Sequence, residues 1–161
     1  MFYKVKIIWQ KKSSEVFSDK KYSREHKWFF DGGIELKASS SPHVVPLPMS
    51  VENAVDPEEA FIASISSCHM LWFLSIAADK KFIVETYEDN SEGILEKNSE
   101  GKLAVTKINL LPKIIFSGEN IPTKKQIEEI HEKAHEKCFI ANSVKTEINV
   151  KILDYEKKNP T

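Results

Sequence analysis

The 161-residue chain predicts an α+β fold with the element order β-β-β-α-β-β-α-β. Three features carry that prediction. An apolar helical run follows Asp56-Pro57-Glu58-Glu59, a shorter charged helical stretch follows Pro122-Thr123, and the segments around them alternate apolar and polar residues with a period of two. With hydrophobic residues at 41%, a single domain over residues 1–161 can bury a core. The net charge of −1, with Lys and Glu interspersed along the chain, gives no electrostatic reason to expect nucleic acid as a partner.

Met1–Gln10 alternates Tyr3, Val5, Ile7 and Trp9 against Lys4, Lys6 and Ile8, which reads as a strand and not as a signal segment. The expected location is therefore cytoplasmic, where thiols stay reduced. Trp28–Phe30 and Ile34–Ala38 flank Asp31-Gly32-Gly33, a hairpin signal. Between Ser39 and Val55, Pro42, Pro46 and Pro48 rule out a central strand, because proline lacks the ladder donor. That stiff, apolar loop, with Val44, Leu47 and Met49, reads either as the wall or lid of a pocket or as a loop packed over the core.

The first helix is marked at its start: Asp56 suits the N-cap, Pro57 the first helical position, and Glu59 completes an Asp form of the capping box. From Ala60 to Ala78 the apolar run is interrupted by Ser64, Ser66, Ser67, Cys68, His69 and Ser75, so apolar residues point in every direction. At 1.5 Å per residue the helix runs roughly 35 Å, long enough to weigh a membrane span. The Ser, Cys and His residues in its middle favour a long buried central helix instead, with no membrane. A helix apolar all round needs more cover than one small sheet supplies, and this favours a homodimer.

Ile83–Lys97 and Lys102–Phe116 flank the turn Asn98-Ser99-Glu100-Gly101, with Ile108, Leu110, Ile114 and Phe116 alternating along the second strand. The helix after Pro122-Thr123 places Ile127, Ile130, Ala134 and Cys138 on one inward stripe and its Lys and Glu residues on a solvated face. A last strand over Val144–Ile152 alternates Val144, Thr146, Ile148, Val150 and Ile152 against polar neighbours.

Cys68 and Cys138 are the only cysteines, and both lie beside polar groups on a helix. In a reducing compartment such a pair points to catalytic, redox or metal chemistry. A reactive thiol must be a thiolate, which needs a nearby cation or a helix N-terminus. Cys68 is about three turns into its helix, so a cation is required. Arg24, the sole arginine, is a candidate for a fixed charge with a planar fork. His131-Glu132-Lys133-Ala134-His135 matches the H-E-x-x-H zinc pattern, but Glu132 falls on the solvated face and no third ligand is evident. His69 projects about 100° from Cys68 and reads as a packed polar residue, while His26 and His43 are left unassigned.

Two motifs match a known family. Asp56-Pro57-Glu58-Glu59-Ala60-Phe61, with a cysteine ten residues after Glu58, and Cys138-Phe139-Ile140-Ala141-Asn142-Ser143 together resemble the OsmC/Ohr family of osmotically inducible and organic-hydroperoxide-resistance proteins. The resemblance covers about Arg24 to Val150 and includes the element order. It implies an OsmC-like fold in an intertwined homodimer and a cofactor-free thiol peroxidase that reduces organic hydroperoxides to alcohols. By the same resemblance Cys68 attacks the peroxide, Cys138 resolves the product as a disulfide, Arg24 and Glu58 form the activating pair, and an external thiol serves as reductant. His69 stands where the family commonly carries an apolar residue, and Phe139 where proline often follows the second cysteine. These departures imply a divergent subgroup.

Glu58 and Cys68 lie about 15 Å apart along one helix, so a carboxylate that serves this thiol acts through Arg24 or comes from a second subunit. The pocket walls expected around Cys68 are Val44, Leu47, Met49, Phe61 and Met70. The rival readings are a non-catalytic OsmC-like protein that binds an apolar ligand or partner, and a zinc hydrolase built on His131-Glu132-x-x-His135.

Overall fold

The computed structural model describes residues 1–152 and 154–157, so the last few positions of the domain expected over 1–161 lie outside the described residues. The fold is mixed α+β, with two α-helices and three small sheets. It divides into two compact units, residues 1–60 and 61–161.

In the first unit β1 (Val5–Ile8), β2 (His26–Phe30) and β3 (Glu35–Ala38) form an antiparallel sheet in that order. The hairpin between β2 and β3 turns at Gly33, whose φ of 84° is the left-handed conformation that glycine adopts without a Cβ penalty. Phe30 N–H donates to the Ile34 carbonyl at 2.9 Å and closes the turn. Residues 39–55 add no strand. Their ends are tied by Ser39 N–H to the Val55 carbonyl at 3.0 Å and Val55 N–H to the Lys37 carbonyl at 3.1 Å, and Ser39 Oγ accepts from Val51 N–H at 2.9 Å. Val5, Ile7, Phe30 and Ile34 are exposed, and Ala38 is the one buried hydrophobic residue of this unit among the described residues.

Helix α1 (Pro57–Asp79) begins as its sequence prescribes: Glu59 N–H donates to Asp56 Oδ1 at 2.8 Å and Asp56 N–H to Glu59 Oε2 at 3.4 Å. Ile65, His69, Phe73, Ile76 and Ala77 are buried, a stripe at helical spacing along one face. The expected cover on every side is not supplied by the single chain: 22% of the most apolar stretch is buried, and Leu71 stands 62% exposed. By length and composition alone this helix could cross a membrane.

In the second unit each of the two long strands expected after α1 is broken in two. The outer portions β4 (Ile83–Asp89) and β7 (Pro112–Ser117) pair antiparallel, as do β5 (Glu92–Lys97) and β6 (Leu103–Leu110). Two features mark the break. Pro112 brings no N–H to the ladder, and Asp89, at the end of β4, accepts Leu111 N–H at 2.7 Å and the Ser66 hydroxyl at 2.5 Å. The side-chain alternation survives the break, since Ile108, Leu110, Ile114 and Phe116 are all fully buried.

Helix α2 (Lys124–Lys137) starts on a Thr123–Gln126 capping box, and it is followed by β8 (Glu147–Val150) and β9 (Asp154–Lys157). These add in parallel to β6 and β7 respectively, so the last strand is shorter than expected and a further one follows it. One core joins Phe73, Ile76 and Ala77 of α1 to Ile114 and Phe116 of β7 and to Ile127, Ile130 and Ala134 of α2. A second joins Ile65 to Ile108 and Leu110. The first core holds both helices against β7 and the second holds α1 against β6, and that fixes where the cysteines meet.

Candidate active site

Cys68 lies in the middle of α1, half-buried, and Cys138 is the residue that ends α2, fully buried at the foot of the stripe Ile127, Ile130, Ala134. Cys138 has left helical geometry, with φ −69° and ψ 108°. The two thiols, seventy residues apart in sequence, lie close enough to interact, and both are free. Burial, and after it the neighbouring Cys68 thiol, pushes the Cys138 thiol up to about 11, against a weaker opposing pull from Ala141 N–H, which donates to its sulfur at 3.4 Å. Cys138 therefore keeps its proton at neutral pH and stands beside Cys68 as a neutral thiol.

Cys68 opens onto a cavity of about 550 Å³. Ser64, Cys68, Leu71 and Ser75 line it from one stripe of α1, with Trp72 beside them and Phe139 and Ile140 beyond the end of α2. The lining is mainly apolar. Trp72 and Phe139 meet edge to face at 5.7 Å, and the Lys137 ammonium lies 5.0 Å over the Trp72 ring. The walls differ from those expected: Met70 is two residues from Cys68, about 200° around the helix, and Phe61 packs with the Ile65 cluster. Val44, Leu47 and Met49 belong to the first unit.

Of the four residues expected at the site, Cys68 and Cys138 are brought together in the second unit. Arg24 and Glu58 fall in the first. There Arg24 Nη1 donates to the Lys20 carbonyl at 2.9 Å and to the Tyr22 carbonyl, and the guanidinium lies 3.8 Å over the Tyr22 ring. Glu58 is half-buried in the first turn of α1. No ion pair joins the two among the described residues.

Sequence reasoning missed what lies behind Cys68. His69 Nε2 and His131 Nδ1 share a hydrogen bond of 2.9 Å, with the rings stacked at 5.2 Å and 11°. The side chains are 1% and 3% exposed, and Phe73 packs 4.5 Å from the His131 ring. Burial holds both imidazoles neutral, drawing His69 down to about 4 and His131 to about 3. For His69 the nearby His135 adds to this and Asp89 opposes it. A signal was present: His69 falls between Ile65 and Phe73 at i±4, and His131 between Ile127 and Ala134, so each occupies an inward position.

The same pair redefines the H-E-x-x-H stretch. His131 Nδ1 is engaged by His69, Glu132 is exposed, and no group of three or more His, Cys, Asp or Glu is placed to hold a metal ion among the described residues.

A family model described as OsmC-like protein matches residues 50–153. An OsmC-like protein of unknown function from Vibrio cholerae is 56% identical, over 95% of this chain and 99% of its own, with a TM-score of 0.94. An organic hydroperoxide resistance protein from Legionella pneumophila shares the fold at 19% identity and a TM-score of 0.61, covering 99% of this chain and 98% of its own. That of Bacillus subtilis does so at 17% and 0.61, covering 98% of each chain. No curated protein matches the chain by sequence.

Proposed function

The chain belongs to the OsmC-like protein family, and from that premise we propose that it is a cytoplasmic thiol peroxidase that reduces organic hydroperoxides. The observation that carries the reading is that Cys68, which lines an apolar cavity, has the buried Cys138 thiol beside it. In the first step the Cys68 thiolate attacks the distal oxygen of R–O–O–H. An S–O bond forms, the O–O bond breaks, and the alkoxide takes a proton and leaves as the alcohol. The sulfur is left as a sulfenic acid.

Cys138, already alongside, then attacks that sulfur. An S–S bond forms, the S–O bond breaks, and hydroxide departs with the proton of the Cys138 thiol as water. An external dithiol reduces the disulfide and is itself oxidised. Leu71, Trp72 and Phe139 favour a peroxide with an apolar body.

The same reading gives Arg24 the role of the cation beside the thiolate and Glu58 that of its carboxylate partner, a pairing the assembled homodimer has to create. A second copy also answers the exposure of β1 and of one side of α1. The direct test is intact mass and a thiol count after one equivalent of cumene hydroperoxide. Wild type should lose both thiols and two hydrogens, Cys138→Ser should gain one oxygen at Cys68, and Cys68→Ser should consume no peroxide. A wild-type protein that keeps both thiols and leaves the peroxide untouched would sink the proposal, and the cavity would then be a binding site for an apolar ligand.

A further inference from the structure

Apart from the thiol contact, the one hydrogen bond between side chains of α1 and α2 among the described residues is that of His69 with His131. Its position is telling. His69 directly follows Cys68, and His131 lies seven residues before Cys138, two turns back on the same face of α2 and roughly 10 Å along its axis.

A neutral imidazole has one donor and one acceptor nitrogen, so the N–H of one ring must meet the bare nitrogen of the other. Held between Phe73 and the buried stripe of α2, that bond is directional in a way the surrounding apolar contacts are not. The contacts of Ile127, Ile130 and Ala134 with Phe73 and Ile76 are non-directional, whereas a buried polar pair loses its partner as soon as the helices shift. Disulfide closure is sensitive to such a shift. The sulfurs must reach about 2.05 Å with Cβ atoms about 3.5–4.5 Å apart, and a misplacement of about 1 Å can cost on the order of a hundredfold in rate.

We propose that the His69–His131 pair is a clasp that sets the register of α2 on α1, so that both histidines are positioning residues for closure of the Cys68–Cys138 disulfide. The clasp touches neither peroxide nor sulfur. It acts on the second step, in which Cys138 displaces hydroxide from the Cys68 sulfenic acid, and it leaves the first step unchanged. The inference rests on the peroxidase reading given above.

The test uses His69→Leu/His131→Leu, which removes both polar partners together and leaves no buried orphan. It also uses His131→Asn, whose amide places a hydrogen-bonding atom on Cγ where His131 Nδ1 stands, and His131→Gln, whose amide lies one methylene too far out. Stopped-flow with cumene hydroperoxide separates peroxide attack from closure. Equilibration with reduced and oxidised dithiothreitol measures the Cys68–Cys138 disulfide without any peroxide. In the double variant and in His131→Gln, attack should stay within about twofold while closure slows about tenfold to a hundredfold. The dithiothreitol equilibrium should move against the disulfide by about tenfold, and His131→Asn should recover most of both effects.

Unchanged closure and equilibrium in the double variant and in His131→Gln would overturn the clasp, as would equal slowing of both steps. If wild type consumes no peroxide and the equilibrium still moves in these variants, the peroxidase reading fails and the clasp stands.

Discussion

Acid should destabilise this protein through two particular side chains. His69 and His131 are neutral in the folded state, drawn from an ordinary 6.5 to about 4 and about 3, chiefly by burial. Folded pKa values below the unfolded ones mean that the unfolded chain binds protons the folded chain refuses. The stability they contribute is fully present above pH 6.5 and is lost as pH falls from there towards 4 and 3. At pH 5 an unfolded imidazole is protonated by about 30 to 1, and RT times the logarithm of that ratio is about 2 kcal/mol for each residue. Together the pair should take away about 4 kcal/mol between pH 7.5 and pH 5, or about 8–16 °C in Tm for a chain of this length.

Carboxylates add their own pH dependence, so the measurement is a difference. Urea unfolding of wild type and of His69→Leu/His131→Leu is followed at pH 7.5, 6 and 5, at one fixed protein concentration because assembly shifts apparent stability. Wild type should lose the extra 4 kcal/mol, and the double variant, with no imidazole at either position, should not. Parallel loss of stability in the two proteins would refute the reasoning, since it would mean that these rings are hydrated or charged in the folded state.

Arg24→Ala should slow the attack of Cys68 on peroxide by on the order of a hundredfold, and Arg24→Lys should recover part of it, because Lys keeps the charge and loses the planar fork; equal stopped-flow rates in all three proteins would make Arg24 an ordinary stacked residue. Light scattering at micromolar concentration should report a homodimer, and a compact active monomer would leave the open side of α1 unexplained. Gly93→Ala should cost about 1–3 kcal/mol in thermal unfolding, because the new Cβ would lie 2.4 Å from Ile62 Cδ1 and 2.8 Å from its Cγ1. Ile62→Val in the same chain should restore part of that loss, and an unchanged Tm in the single variant would show that Ile62 gives way freely.

The local elements were legible because their causes are local. Asp56 and Glu59 cap α1, Thr123 and Gln126 cap α2, Gly33 turns the first hairpin, and Ile108, Leu110, Ile114 and Phe116 face inward. Each depends on residues within a few positions of one another, and period and capping rules operate at that range. The two cysteines could be singled out as well, since their motifs lie on the helices that carry them.

Tertiary structure alone decided the rest. The break of each long strand at Asp89 and Leu111 depends on a carboxylate accepting an N–H twenty-two residues away. The cavity walls Phe139 and Ile140 reach Cys68 because α2 packs on α1. His69 and His131 each read as a polar residue on an apolar stripe, and nothing in either local sequence says that the two stripes face each other across 62 positions. Periodicity determines which way a side chain points along its own element. What it meets there is settled by the packing of distant elements, where burying an unpaired polar group costs on the order of 1–3 kcal/mol and only a matched partner removes that cost.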